Sequence, residues 1–289
     1  MKEYKFGFVI LHYNTYETTM DCINMIEKFQ WQKEYMIIVV DNFSPNKSGK
    51  KLEQEFVSSE HIKVYLLDEN IGFARANNVG IKYAKDYGCD FVCCLNNDVF
   101  ILDENFIGKS IETYEKHKAA LIGPKIILRD GQVQPLRGFF KKKEEYVKIL
   151  QRIEADYNKI CENGKVKFSY RELVKRVLPK KILRTYKKDN PEELTLNPVL
   201  HGCCIIFTPV FFSKCEGFNP RTFLYGEEEL LMLSLIKNKM TTVYNPNITV
   251  KHLEDISTNT LFDENITKIK FVLKHQIDSY RILIEEYEK

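Results

Sequence analysis

The residues that could do chemistry collect at the ends of apolar runs. Residues 91–95 are five apolar side chains in a row, with Gly88 before them and Asn96, Asn97 and Asp98 directly after. Such a run reads as a short strand buried on both faces, as in a parallel sheet. In an open α/β sheet ligands sit beyond the carboxyl ends of the strands, so these three residues are expected on a binding rim. A carboxylate beside two amides suits a hard divalent cation, which prefers oxygen ligands and takes only one or two from protein when it bridges phosphates. The competing reading is a plain loop, because Asn and Asp also form turns.

The elements that must position these residues alternate in type. Strands are expected over 6–11, 35–40 and 62–67, with 91–95 as the fourth. The first stops on His12, Tyr13 and Asn14, and the second on Asp41 and Asn42. A helix is expected from about Thr15, which can cap it, and another follows a turn over 44–49 and runs to about Ser58. Asn70, Ile71 and Gly72 lead into a third helix carrying Arg75, Asn77 and Asn78 among small residues. Alternation of this kind means βαβ units and a parallel sheet. Right-handed crossovers give strand order 3-2-1-4, which brings His12, Tyr13, Asn14, Asp41 and Asp98 to one rim. Gly72 adds backbone N–H groups and a positive dipole end, which suit a diphosphate. No Gly-x-Gly-x-x-Gly follows the first strand, and no Gly-Lys-Ser/Thr phosphate loop occurs.

Composition sets the bounds. With 289 residues and 44% apolar content, the chain can bury a substantial core. It shows no secretory leader and no apolar run near the ~18 to 20 residues of a membrane span, so a soluble, cytoplasmic protein is expected. Eight cysteines include two adjacent pairs, Cys93-Cys94 and Cys203-Cys204, but no Cys-x-x-Cys, so they read as small buried hydrophobes. The formal charge of +3 hides an uneven distribution: residues 139–188 carry sixteen Lys/Arg against six Asp/Glu. A helix is expected over 141–162, with Tyr146, Ile149, Leu150, Ile153 and Tyr157 on one face, and a second over 170–178, stopped by Pro179. A basic amphipathic segment can lie on the anionic inner face of the cell membrane, or form a solvated lid over an acceptor site. No nucleic-acid partner is expected, since no helix-turn-helix, zinc finger or stacking motif accompanies the charge. The terminal stretch 261–287 has helical spacing and reads as a packed helix, or as the face of a homodimer.

The ordered motifs 39–44, 70–80 and 95–98 resemble the signature of the family 2 inverting glycosyltransferases. The match is closest to the branch holding rhamnosyltransferases of bacterial surface polysaccharides. It resumes at Gly123-Pro124-Lys125, at His201-Gly202, from Gly217 through Phe223-Leu224-Tyr225-Gly226-Glu227-Glu228, and at Tyr244-Asn245-Pro246 and His252. The resemblance implies a GT-A fold, a Rossmann-like mixed α/β sheet with helices on both faces, here with a basic helical insertion and a C-terminal helix. It implies four stretches of one continuous catalytic domain: 1–135 for the nucleotide-sugar, 136–198 as the insertion, 199–256 for acceptor and catalysis, and 257–289 as the terminal helix. It assigns Asp41 to the nucleotide base, and His12, Tyr13, Asn14, Asn70, Gly72, Arg75, Asn77, Asn96 and Asn97 to the donor. Asp98 and His252 would hold Mn²⁺ or Mg²⁺, and the pair Glu227-Glu228 would supply the catalytic base at Glu228. Asn96 replaces the first acid of the usual Asp-x-Asp, and Leu230 replaces a further acid. The implied reaction moves a sugar from a nucleoside diphosphate, dTDP-rhamnose or a UDP-sugar, to a growing, lipid-linked glycan. The rival readings are a nucleotidyltransferase, whose glycine-rich triphosphate loop is absent, and a non-catalytic nucleotide- or carbohydrate-binding protein. The acids 227–229 would also stabilise a helix start without any catalytic role.

Overall fold

The structure is a computed structural model describing residues 3–29, 31, 34–163, 190–253 and 265–289. Its first half follows the expected alternation: β1 (Phe6–His12), α1 (Tyr16–Glu27), β2 (Tyr35–Asp41), α2 (Ser48–Glu55), β3 (Ile62–Leu66), α3 (Phe73–Asp86) and β4 (Phe91–Asn96). Then come β5 (Val99–Ile101), α4 (Phe106–His117), β6 (Leu121–Leu128), α5 (Lys143–Asn163) and β7 (Thr195–Leu196). The chain continues through β8 (Cys204–Phe207), α6 (Pro209–Phe212), α7 (Glu227–Lys237), β9 (Thr242–His252) and α8 (Asn265–Glu288).

Among the described residues these strands form one mixed sheet in the order β3-β2-β1-β4-β8-β6-β9-β5, with β7 on β9. Strands β3, β2, β1 and β4 are parallel, as expected for crossover units, while β8 runs antiparallel to β4. Successive side chains of a strand point to opposite faces, and the core divides accordingly. Phe6, Phe8 and Ile10 of β1 pack with Ile23 and Ile26 of α1, Leu52 of α2 and Phe106 of α4. Val9 of β1, with Ile38 and Val40 of β2, faces Ala74, Ala76, Ile81 and Ala84 of α3 and Leu231 and Leu235 of α7. Six cysteines, including both adjacent pairs, are buried, and all eight are free thiols.

A third cluster lies outside these two layers. Tyr146, Ile149, Ile153 and Ile160 of α5 close on Ile269, Leu273, Ile277 and Leu283 of α8 and on Leu230 and Leu233 of α7. This corrects the amphipathic reading of the insertion, because the apolar face of its first helix is occupied inside the protein and cannot enter a bilayer. It likewise removes the apolar face of the terminal helix as a homodimer surface. It also accounts for Leu230, which is 2% exposed in that cluster where an acid would be desolvated. The expected second helix at 170–178 and most of the basic run lie outside the described residues. Thr15 does not cap α1: no side chain caps that helix, and the Thr15 hydroxyl instead donates to the Tyr13 carbonyl.

Candidate active site

The register of the parallel strands assembles the rim. His12 pairs with Asp41 across β1 and β2, and Leu11 with Asn96 across β1 and β4, so three strand ends finish side by side. Asp41 is 6% exposed, and its carboxylate accepts from the Ser44 hydroxyl and from the Ser44 N–H at 3.2 Å. Burial raises its pKa, partly offset by the two Ser44 hydrogen bonds. Gly49, in the first turn of α2, is required here: a Cβ would stand 2.1 Å from the Asp41 Oδ2. The Asn14 backbone is left-handed at φ 62°, its N–H donates to Ser44 Oγ, and its buried side-chain oxygen has no hydrogen-bond partner. It is a spare acceptor at the rim beside Tyr13, which is half-buried.

Asn42 stitches the next loop. Its side-chain oxygen accepts from Ile71 N–H at 3.0 Å and its amide donates to Asn70 Oδ1 at 3.0 Å, while Asn70 Oδ1 also accepts from Gly72 N–H. Gly72 has φ +83° and a Cβ there would lie 2.4 Å from the Phe223 carbonyl, which accepts the Phe73 N–H at 2.7 Å. Only glycine fits this crossing, and it ties the donor loop to the segment that leads into α7. Arg75 is exposed, with its Nε donating to the Ile71 carbonyl.

Three residues assigned to the donor stand behind the rim instead. His12 is 0% exposed with both ring nitrogens 2.7 Å from hydroxyls, of Thr19 and Ser48. Burial lowers its pKa to about 4, so it is neutral. Asn77 is 1% exposed and returns its amide to the Phe73 carbonyl one helical turn back. Asn97 is 3% exposed and donates to the Thr15 and Thr19 hydroxyls. Buried, with the ring nitrogens of His12 and the side-chain amides of Asn77 and Asn97 hydrogen-bonded inside the fold, these three support the rim from behind. Asn96 stays half-buried at the end of β4.

The pairing of β5 with β9 sets Val99 opposite His252 and so brings His252 to Asp98. Their Nε2 and Oδ1 atoms are 3.4 Å apart. Burial alone would lower the His252 pKa, but hydrogen bonds to Asp98 and Cys203 outweigh it and raise it to about 10. The Asp98 carboxylate and, once a cation displaces its proton, the His252 ring nitrogen 3.4 Å away are a donor set that Mn²⁺ or Mg²⁺ can use. No group of three or more His, Cys, Asp or Glu suited to a metal occurs among the described residues. The pair therefore fits a cation that takes its remaining ligands from phosphate and water.

The acidic cluster opens α7 after two left-handed residues, Tyr225 and Gly226. Consecutive helical residues point about 100° apart, and the three acids separate accordingly. Glu227 is 4% exposed, with one oxygen unpartnered, and burial followed by repulsion from Glu228 pushes it up to about 8. Glu228 is more open; its Oε1 accepts from Gly202 N–H at 3.1 Å and lies 3.3 Å from Arg137. Glu229 takes the other arm of Arg137 at 2.7 Å. Arg137 was invisible in the sequence, since the contact spans 92 positions and no motif surrounds it. The loop 201–203 joins this end to the metal end: Cys203 accepts the Asn96 N–H at 2.9 Å, and the His201 and His252 rings stand 6.1 Å apart. Burial, with Arg137 and His252 nearby, lowers His201 to about 3.

The family model described as Glycosyl transferase family 2 matches residues 8–209, well over half of the chain. The chain belongs to that family. Its match ends before α7, so it does not reach the acids of α7 or His252. A poly-beta-1,6-N-acetyl-D-glucosamine synthase of Staphylococcus epidermidis is 29% identical over 111 residues, 38% of this chain and 26% of that protein. The dTDP-rhamnosyl transferase RfbF of Shigella flexneri is 27% identical over 116 residues, 40% of this chain and 38% of that protein. These matches thus span well under half the length of either relative. Among solved structures, GalNAc-T7 with UDP, GalNAc and Mn²⁺ aligns with TM-score 0.59 at 17% identity, covering 87% of this chain and 44% of that one. TarS 1–349 of S. aureus in complex with UDP-GlcNAc aligns with TM-score 0.54 at 15% identity, covering 94% and 66%. These likenesses show a GT-A fold.

Proposed function

We propose that the chain is an inverting, metal-dependent glycosyltransferase that moves a sugar from a nucleoside diphosphate donor to a hydroxyl of a growing glycan. What supports this most is the succession along one rim of a buried acid, Asp41, a cation-type pair, Asp98 and His252, and a more open acid, Glu228. Asp41 accepts the N3–H of a pyrimidine base. The loop over 70–72 presents backbone to the diphosphate from the start of α3. Asp98 and His252 would hold Mn²⁺ or Mg²⁺, which supplies neutralisation of the charge developing on the leaving diphosphate. Glu228 removes the proton of the acceptor hydroxyl as that oxygen attacks the anomeric carbon from the face opposite the diphosphate, inverting the centre. Gly202 and Arg137 hold Glu228 in place. Glu227, kept neutral by burial, meets the acceptor or shapes its pocket.

The donor is dTDP-rhamnose first and UDP-sugars next, since a dTDP-rhamnosyl transferase is among the relatives and a UDP-GlcNAc complex among the structural neighbours. The acceptor is a lipid-linked surface glycan at the inner face of the cell membrane. Contact with an anionic surface would fall to the basic stretch 139–188, and among the described residues no helix is long and apolar enough to cross a membrane. A panel of dTDP- and UDP-sugars, offered with Mn²⁺ and glycan acceptors, tests the reading by nucleoside diphosphate release and by the anomeric configuration of the product in NMR. An inverted glycoside is expected. Pyrophosphate release from nucleoside triphosphates would make it a nucleotidyltransferase, and binding without turnover a carbohydrate- or nucleotide-binding protein.

A further inference from the structure

His12 lies between the two ends of the rim, its Nε2 3.9 Å from the Asp41 carboxylate. The Nδ1–H tautomer keeps both of its hydrogen bonds together with the one from Thr19 to the Thr15 carbonyl. The Thr19 hydroxyl donates its single proton to the Thr15 carbonyl at 3.1 Å. Its two lone pairs then accept from Asn97 Nδ2 at 2.8 Å and from His12 Nδ1 at 2.7 Å, which makes Nδ1 the protonated nitrogen of the ring. In a neutral ring Nε2 is then an acceptor, and the Ser48 hydroxyl, 2.7 Å away, donates to it. On one side Asn97 carries the adjacent Asp98. On the other Ser48 opens α2, whose Gly49 lies against the Asp41 carboxylate, and Ser48 N–H is itself fixed by Asn46 Oδ1 at 3.0 Å. His12, Thr19, Ser48, Asn97 and Asp98 are all buried, so a missing partner among them leaves a desolvated polar atom.

We propose that His12 is a positioning residue that couples the nucleoside end of the donor site to its cation end. As the Nδ1–H tautomer it orients the Asn97-Asp98 turn through Thr19 and the start of α2 behind Asp41 through Ser48. The proposal rests on the donor reading above and adds the wiring beneath it. The two arms are separable by substitution, because an Asn amide stands near where Nδ1 stood and a Gln amide reaches toward Nε2. His12→Asn keeps the Thr19 arm and loses Ser48; His12→Gln does the reverse.

Two readouts on the full chain distinguish the arms: the dissociation constant of UDP at saturating Mn²⁺, and the Mn²⁺ concentration giving half-maximal UDP binding, with dTDP as a parallel probe. His12→Asn and Ser48→Ala should weaken UDP about fivefold or more while leaving the Mn²⁺ midpoint within about twofold. His12→Gln and Thr19→Val should raise the Mn²⁺ midpoint by a similar factor with the saturated UDP affinity nearly kept. All four variants shifting both readouts together, or neither, would reduce His12 to a packing residue and overturn the proposal. The wiring has its own test in the unsubstituted protein. Long-range ¹H–¹⁵N spectra of ¹⁵N-histidine-labelled chain, with the His12 signals assigned against His12→Asn, should show a protonated Nδ1 and a bare Nε2 at neutral pH. An Nε2–H tautomer or an imidazolium overturns the assignment even if the variants fail to fold. A wild type that binds neither UDP nor dTDP in Mn²⁺ would refute the donor reading and the coupling with it, while the tautomer result still decides the wiring.

Discussion

Glu227 and Glu228 are neighbours of the same type with opposite surroundings, and that difference decides their chemistry. Glu228 is met by a backbone N–H and a guanidinium, whereas Glu227 is buried with an unpartnered oxygen. Glu228→Gln keeps the shape and removes the proton acceptor, so turnover should fall ~10² to 10⁴-fold with donor affinity nearly unchanged, read as kcat against the dissociation constant of UDP. Glu227→Gln should leave kcat largely intact; a dead Glu227→Gln beside an active Glu228→Gln would reverse the roles. Glu227 also makes a pH prediction. Its folded pKa of about 8 lies above the ordinary 4.5, so the folded state binds the extra proton and stability falls as pH rises between those values. Urea denaturation across that window should show the decline, and Glu227→Gln should flatten it. The types of these residues were legible in the sequence, and so was the order Asp41, Asp98, Glu228, His252. Burial was not: His12, Asn77 and Asn97 carry suitable atoms, but which side of a strand, helix or turn faces inward is set by packing against the rest of the chain. Arg137 was illegible for the same reason.

At the scale of elements, the crossover units were readable because each strand of the first half is a dense apolar run closed by a turn signal. Most of the second half of the sheet was not, since β8 has four residues, β7 two, and β6 meets β9 through a register shift at Pro124/Lys125. Pairings of that kind depend on contacts distant in sequence and leave little local pattern. The joint between the halves is Gly72 against Phe223. Gly72→Ala puts a Cβ into a backbone carbonyl and asks an L residue to hold positive φ, which alone costs about 1 to 2 kcal/mol. The urea midpoint should drop accordingly, and UDP should bind more weakly because the loop over 70–72 must shift. An unchanged midpoint would mean that the crossing yields at no cost.

Across the whole molecule, α5 and α8 form a layer of their own on α7, which places the first helix of the insertion behind the acids of α7. Ile153 is fully buried there, and Ile153→Ala should cost about 2 to 5 kcal/mol, measured by denaturation. With that face closed, attachment to anionic vesicles should rest on charge alone. Binding should weaken as the screening length shortens from ~30 Å at 0.01 M salt to ~8 Å at 0.15 M, and salt-resistant binding would mean that an apolar surface inserts. In the function proposed above, one rim binds a nucleoside diphosphate through a cation held by Asp98 and His252 and keeps Glu228 for the acceptor. Isothermal titration of UDP and dTDP with and without Mn²⁺ tests it most directly, on the wild type, Asp98→Ala and Glu228→Gln. The account predicts Mn²⁺-dependent binding in the wild type and in Glu228→Gln, and its loss in a folded Asp98→Ala; undiminished Mn²⁺-dependent affinity in Asp98→Ala would contradict it.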